Sequence, residues 1–342
     1  MRFTAVNSGK LRYSPKKQRG VVLVMVLMIV SVVVALAVNL GSDYLITQKR
    51  TSNQYLGLQV KLYLEGMDGL VKIVLDESDK ANKNDNRHLE ELWAQEFEPF
   101  PVDGGMVAAT LEDLQARINI NSLVTAPPQG QAYSEPQLRF IRFLQTFDQL
   151  IQSPNEARDI TDAIIDWVDP DTNPKGFNGA EDSYYTSLPK PYKASNRPME
   201  SVSELLLVKN MTPRLFQAIE PYIFAHSGLG SSSAINVNTA ELPIMRTINS
   251  AGSDTPLTEA DAQQLMSDRG PEGYLDMNGI TGHPLYTGPG AILPDVAGLD
   301  VKTEWFLVTS FAEVGPRYAT MKTILQRTSG STVVIARTQT EF

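Results

Sequence analysis

The chain has 342 residues, 42% of them hydrophobic and 20% charged, enough apolar material for two globular cores and too much for a wholly disordered polypeptide. Its formal charge is −9, but Arg2, Lys10, Arg12, Lys16, Lys17 and Arg19 stand in the first twenty residues without an acid, which leaves 24 basic against 39 acidic side chains, a net −15, for residues 21–342. A body that acidic repels phosphate backbones and argues against nucleic acid as a partner. With no cysteine, disulfides, thiolate metal sites and cysteine nucleophiles are excluded together.

Directly after Lys16-Lys17-Gln18-Arg19-Gly20, residues 21–38 read VVLVMVLMIVSVVVALAV, with Ser31 the only polar member. As a helix rising ~1.5 Å per residue this run covers ~27 Å, close to the hydrocarbon thickness of a bilayer. The basic flank would stay cytoplasmic and everything after about Ser42 would lie across the membrane. Three fates remain open: a secretory signal cut after Ala35-Leu36-Ala37, a permanent anchor, or a cut after Gly20 that leaves Val21 as the new terminus.

Helical pattern continues without a proline past Asp79, and Leu56, Val60, Tyr63, Met67, Leu70 and Val74 recur at spacings of four and three, one apolar stripe on a continuous helix. Val21 to Leu75 would make a rod ~80 Å long, bent where Gly41, Gly57, Gly66 and Gly69 weaken it. Residues 77–87, ESDKANKNDNR, read as a polar linker. Gly104-Gly105 then introduce MVAATLED and ARININSL, two strand-like segments around a Leu114-Gln115 turn. The pattern is helical from about Gln137 to Phe224, with a capping box at Ser201–Glu204 and an N-cap at Thr212-Pro213. Strands return at 304–314, 317–328 and 332–338, separated by Gly315-Pro316 and Ser329-Gly330-Ser331. Strands on both sides of a helical block predict an α+β chain: a long helix packed on a small antiparallel sheet, with an all-α domain inserted. The expected segments are a leader 1–20, a helix 21–76 with its membrane part at 21–38, a linker and first α/β portion 77–122, an inserted helical domain 123–234, and the rest of the α/β domain 235–342.

The candidate chemistry sits in one acidic stretch. Asp159, Asp162, Asp166, Asp169, Asp171, Glu181 and Asp182 face a single base, Lys175, and residues 169–198 form a long aperiodic loop. Calcium takes six to eight oxygens and can order such a loop. The EF-hand match is poor, and a plain solvated acidic surface accounts for the spacing equally well. No nucleophile, base and orienting group assemble into a motif, and neither a P-loop nor a dinucleotide fingerprint occurs, so no catalytic residues are expected and the chain reads as a non-enzyme. His88, His226 and His283 are far apart, and His88-Leu-Glu-Glu-Leu92 lacks the second histidine of a zincin helix; all three are expected at the surface or in loops.

A basic leader ending in Gly20, followed by an apolar helix whose second half is amphipathic, resembles the type IV prepilin and pseudopilin class. In that class a prepilin peptidase cuts after the glycine, between Gly20 and Val21 here, with methylation of the new terminus, and the helices pack in a filament. The fifth residue after the cut is usually glutamate, thought to pair with the amino terminus of the neighbouring subunit above; Met25 stands there instead. A carboxylate in the bilayer costs ~2.5–3.5 kcal/mol unless it neutralises something, so a subunit carrying Met25 suits the tip. DAIIDWVDPD, NGAEDSYY, PYKASNRPMESVSELLLVKNMTPRLFQAIEPYI and INVNTAELP resemble the minor pseudopilin K of type II secretion systems, from the leader to about Ile248. That resemblance implies a pseudopilin fold with an inserted α domain. It also implies two calcium ions on the loop matching Asp169–Asn196, with Asp169, Asp171, Glu181 and Asp182 the leading ligands and Asn196 and Asp166 the next.

The implied role is at the tip of the pseudopilus that exports folded proteins across the outer membrane, anchored by a single pass in the inner membrane with the body in the periplasm. Minor pseudopilins I and J, the peptidase, and beyond them the major pseudopilin and exported proteins, are the implied partners. A minor pilin of a type IV pilus is an alternative. Another is a membrane-anchored helix-hairpin-helix protein of DNA uptake, since Ile235-Asn-Val-Asn-Thr-Ala240 resembles the opening of that module. Its turn at 249–254 lacks paired glycines, and Thr239 reads better as a plain helix N-cap.

Overall fold

The computed structural model describes residues 9, 19–82, 84–95, 97–229, 234–288, 291, 293–328 and 331–339. Apart from residues 9 and 19–20, the basic leader lies outside these, as do Ser329 and Gly330 of the last expected turn. The chain divides into two compact units, Met1–Leu58 and Gln59–Phe342. Helix α1 (Arg19–Ala81) supplies the described part of the first unit and opens the second. It stays helical through all four glycines and ends five residues past the expected limit at 76. In the first unit every residue from Gly20 to Tyr55 is exposed, and an 18-residue window of mean hydropathy 3.4 makes the segment apolar and long enough to cross a membrane.

In the second unit, strands β1 (Phe100–Val102) and β2 (Gly105–Asp113) precede an insertion that carries the two-residue strands β3 (Ile118–Asn119), β4 (Ile223–Phe224), β5 (Ile235–Asn236) and β6 (Leu299–Asp300). Strands β7 (Trp305–Val314), β8 (Arg317–Thr328) and β9 (Ser331–Thr338) follow, as the alternation of their residues foretold. The main sheet is antiparallel throughout, in the order β1-β2-β7-β8-β9, so β2 pairs with a strand that lies beyond the whole insertion, Val107 opposite Ala312 and Leu111 opposite Val308. The two strand-like segments around Leu114-Gln115 do not pair with each other: β2 pairs with β7, and β3 pairs in parallel with β4.

Helix α1 docks on this sheet through Val60, Leu64, Met67, Val71 and Leu75, all buried. The stripe is rotated from the expected one: Leu70 is exposed while Asp68 is buried with Arg337 Nε donating to its Oδ2 at 2.8 Å. The sequence carries apolar residues on more than one face of the helix, and the Asp68–Arg337 pair to β9 lies beside the one that turns inward. The polar segment 77–87 is docked. Ser78 donates to Glu91 at 2.8 Å, Arg87 pairs with Asp79 and Glu91, Asn86 donates to the Glu272 and Tyr274 carbonyls, and Arg327 of β8 pairs with Asp76 and Asp79.

The insertion holds α2 (Glu135–Leu144), α3 (Pro154–Val168), α4 (Asp182–Tyr185), α5 (Pro213–Ile219), α6 (Leu242–Met245), α7 (Glu259–Asp268), α8 (Asn278–Thr281) and α9 (Pro284–Thr287). Ser153 and Thr212 cap α3 and α5 through the Glu156 and Leu215 N–H groups, and Ser201 opens a 3-10 helix, Val202–Leu207. Helices α6 to α9 fall within 235–342, a stretch expected to complete the α/β body, so helical structure continues well past residue 234.

The insertion has an internal repeat. Ile118-Asn119-Ile120-Asn121-Ser122 and Ile235-Asn236-Val237-Asn238-Thr239 each begin with a strand paired in parallel to the last strand of their half, β3 with β4 and β5 with β6. In each, the first asparagine accepts from the N–H of the second at 3.0 Å. The second clamps both backbone groups of one distant residue, Met199 for Asn121 and Tyr274 for Asn238. One hydrophobic core runs from Ile118 through both halves to Val301. Thr239 is consequently not an N-cap: α6 starts at Leu242 behind Glu241, and the Thr239 hydroxyl donates to Asp113 Oδ2 at 2.6 Å. The string that resembles the opening of a helix-hairpin-helix module thus ties Tyr274 to Asp113 through its own side chains. His283 lies in the turn between α8 and α9, as expected, but is buried there; it caps α9 through Nδ1 and meets Asp268 through Nε2 at 2.7 Å.

Asp113, at the end of β2, is the hub between sheet and insertion. Thr239, Thr303 and Asn236 donate to its Oδ2, and the Gln115 N–H donates to its Oδ1. Burial pushes its pKa up to about 6 against the pull of these donors. A carboxyl raised above its unfolded value stabilises fully below that value and loses the contribution as pH rises through about 6. The stability of the wild type relative to Asp113→Asn should therefore fall between pH 4 and pH 7 in thermal melts; a pH-independent difference would contradict the assignment.

Candidate metal centre

Helix α3 turns Ile160, Ile164, Ile165 and Val168 into the core and ends at Asp169, an extended C-cap from which the chain leaves the helix. The aromatic cluster around Trp167 anchors the returning loop: Tyr185 packs edge-on to Trp167 with centroids 5.2 Å apart and stacks on Tyr192 at the same distance. Glu181 is brought back beside the helix end as the N-cap position of α4. Carboxylate oxygens of Asp169, Asp171 and Glu181 come within 4.8 Å of one another, the single grouping of this kind among the described residues, where the resemblance implies two ions.

Glu181 is 2% exposed, yet neither of its oxygens has a hydrogen-bond partner, and Asp169 Oδ1 and Asn196 Oδ1 are likewise buried and unpartnered. Asn196 adopts a left-handed backbone at φ 46°, with its N–H on the Trp167 carbonyl and its Nδ2 on the Asp171 carbonyl. Orphaned buried carboxylates cost several kcal/mol. Burial, followed by the charges of Asp166, Asp169, Asp171 and Asp182, pushes Glu181 up to about 7, and burial followed by Asp171 raises Asp169. A cation among these oxygens reverses both effects. The donor set is all oxygen, without histidine or cysteine, and so fits a hard divalent cation of the calcium or magnesium kind.

The structure gives the remaining expected ligands other partners. Asp166 accepts the Lys175 N–H at 2.8 Å through Oδ1 and the Ala180 N–H at 2.6 Å through Oδ2, so both oxygens shape the loop. Asp182 accepts the Ala194 N–H at 3.0 Å and faces Lys193 at 3.2 Å. Asp162, one turn before Asp166 on α3, stands outside the group of three carboxylates. It accepts the Tyr133 hydroxyl through Oδ2, its Oδ1 is buried without a partner, and burial raises its pKa to about 6. At the other end of the chain, Gly20, Val21 and Met25 lie on the exposed start of α1, Val21 67% and Met25 61% exposed.

Comparison with known proteins agrees with the strings noted in the sequence. The family model of type II secretion system protein K matches residues 116–228. Type II secretion system protein K of Aeromonas hydrophila is 31% identical over 95% of this chain and 97% of its own length. The proteins of that name from Klebsiella pneumoniae and Pseudomonas aeruginosa are each 30% identical over 94% of this chain, covering 96% and 92% of their own. Among solved structures, the GspK–GspI–GspJ complex from the type 2 secretion system of enterotoxigenic Escherichia coli contains a chain with the same fold. Its TM-score is 0.71 at 24% identity, over 84% of this chain and 98% of that one.

Proposed function

Because this chain belongs to the family of type II secretion system protein K, a minor pseudopilin, we propose that it stands at the tip of a periplasmic pseudopilus, where it starts or caps the filament that moves folded proteins across the outer membrane. The apolar part of α1 anchors the chain in a membrane. We assign this to the bacterial inner membrane, crossed once, with the basic leader cytoplasmic and the body periplasmic. In this reading the acids of the α3 loop hold a cation and perform no reaction, and calcium is the ion, two being expected from the resemblance.

The observation that carries the tip placement is Met25. A subunit inside the stack needs a carboxylate at that depth to neutralise the terminus of its neighbour, and one with nothing above it does not. Lateral partners have a surface to use. On the side of α1 opposite the buried stripe, Leu62, Leu70 and Ile73 are 57%, 44% and 58% exposed, and a Cβ placed on Gly66 or Gly69 would meet nothing within 4 Å. A helix apolar on two opposite faces calls for a second cover, and we assign that cover to a helix of minor pseudopilin I or J.

Site-specific cross-linking in cells tests the placement: adducts should occur at one end of the filament, and copies of this chain flanked by other subunits along the shaft would sink it. Maturation by the prepilin peptidase gives a separate expectation. The wild type should yield Val21 on amino-terminal sequencing, and Gly20→Val should retain the leader; normal processing of that variant would move the cut elsewhere.

A further inference from the structure

Phe177, in the loop between Asp171 and Glu181, is 99% exposed. A lone apolar side chain at a surface is ordinary, but this one sits on a turn that is fastened on every side. Asp166 holds the N–H groups of Lys175 and Ala180, and the Gly179 N–H donates to the Lys175 carbonyl at 3.1 Å. Asn178 donates to Asp159 at 2.8 Å and receives Lys209 Nζ on its carbonyl at 3.0 Å. The Lys175 ammonium lies 5.1 Å from the centre of the Tyr133 ring.

The neighbouring glycines are required by the same packing. Gly176 has φ 62°, and a Cβ there would lie 2.8 Å from Asp162 Oδ2; at Gly179 it would run into Asp166 and the Lys175 backbone. The turn is therefore pre-formed, and its phenylalanine makes no contribution to the core beneath it. A rigidly presented aromatic loses little conformational freedom on docking, which is what the central anchor of an interface needs.

We propose that Phe177 is a docking anchor that enters an apolar socket with a basic rim on a partner protein. The charge of the chain selects this occupant. Residues 21–342 carry a net −15, still −11 with two calcium ions bound in the loop, so a second copy or an anionic lipid surface would be repelled. A cationic protein surface would be steered toward it.

The test uses the full-length chain in a strain lacking it, and rests on the secretion-system reading only for its export readout. Phe177→Ser should lower export at least tenfold while leaving the melting temperature and calcium response unchanged, and Phe177→Trp should retain most of the activity. Export by Phe177→Ser equal to wild type would overturn the anchor. A photo-reactive phenylalanine at position 177 should give one discrete adduct with a different polypeptide, cross-linked beside Lys or Arg. An adduct of this chain with itself, or with lipid alone, would overturn the assignment. If the wild type itself failed to restore export, the secretion-system reading would fall, and the cross-link would still decide the role of Phe177.

Discussion

Arg142→Ala should destabilise the folded chain by about 3–5 kcal/mol, the range for removing one partner of a buried charge pair. Arg142 is fully buried in α2. Its Nε donates to the Ser253 carbonyl at 2.7 Å, and one terminal nitrogen donates to the Thr247 carbonyl at 2.6 Å and to Glu135 at 2.8 Å. Truncation leaves two carbonyls and a buried carboxylate without that donor, and only Arg139, 3.6 Å from Glu135, still faces the charge. Because Thr247 and Ser253 belong to the second half of the insertion, the loss also unfastens one repeat from the other. Calorimetry should show a drop on the order of 10 °C, using a few degrees per kcal/mol. Arg142→Met, which keeps the buried apolar volume and leaves Glu135 facing Arg139, should recover part of it. A loss under about 1 kcal/mol would mean that the pair is not buried as described.

Calcium at a hundredfold excess over its dissociation constant should stabilise the chain by about 2.7 kcal/mol, and chelation should remove that gain. Glu181→Ala supplies the sharper readout because its sign depends on the metal. In chelator the variant should be as stable as the wild type or more so, since a buried carboxylate crowded by like charges is gone. In calcium it should be less stable, since the ion loses its most enclosed ligand. Binding near pH 7 should release protons, because Glu181 is pushed up to about 7 without the ion, and affinity should weaken as pH falls below that value. Identical melting curves with and without calcium, for both proteins, would leave the cluster as a merely acidic surface.

Periodic parts of the chain were legible. The apolar run, α1 and strands β7 to β9 follow from spacings of 3.6 and 2, and the density of acids marks the stretch 159–182 within which Asp169, Asp171 and Glu181 converge. Spacing counts side-chain oxygens but not the backbone N–H groups that reach them, so the bonds that Asp166 and Asp182 accept from the loop are not legible in it. Four-residue helices such as α6, α8 and α9 are too short to show a period. Asn236 and Asn238 gave the opposite difficulty, a recognisable string whose role is fixed by distant Asp113 and Tyr274. Which stripe of α1 turns inward rests on long-range packing that spacing along the helix does not show; the Asp68–Arg337 pair alone joins residues more than 260 apart in the chain.

The pairing of β2 with β7 has a consequence for how the molecule is made. If the chain emerges amino terminus first, β2 waits beside β1 with an open edge until every residue of the insertion has followed, and an open edge invites association with other chains. Closing so long a loop as a random coil would be slow. Folding of the insertion shortens it, since Asp113, Thr239 and Thr303 meet at one carboxylate. The sheet can then close over a small gap, so the order of events should be insertion first and sheet last, and variants that unsettle the insertion should be lost to aggregation or proteolysis before any filament forms.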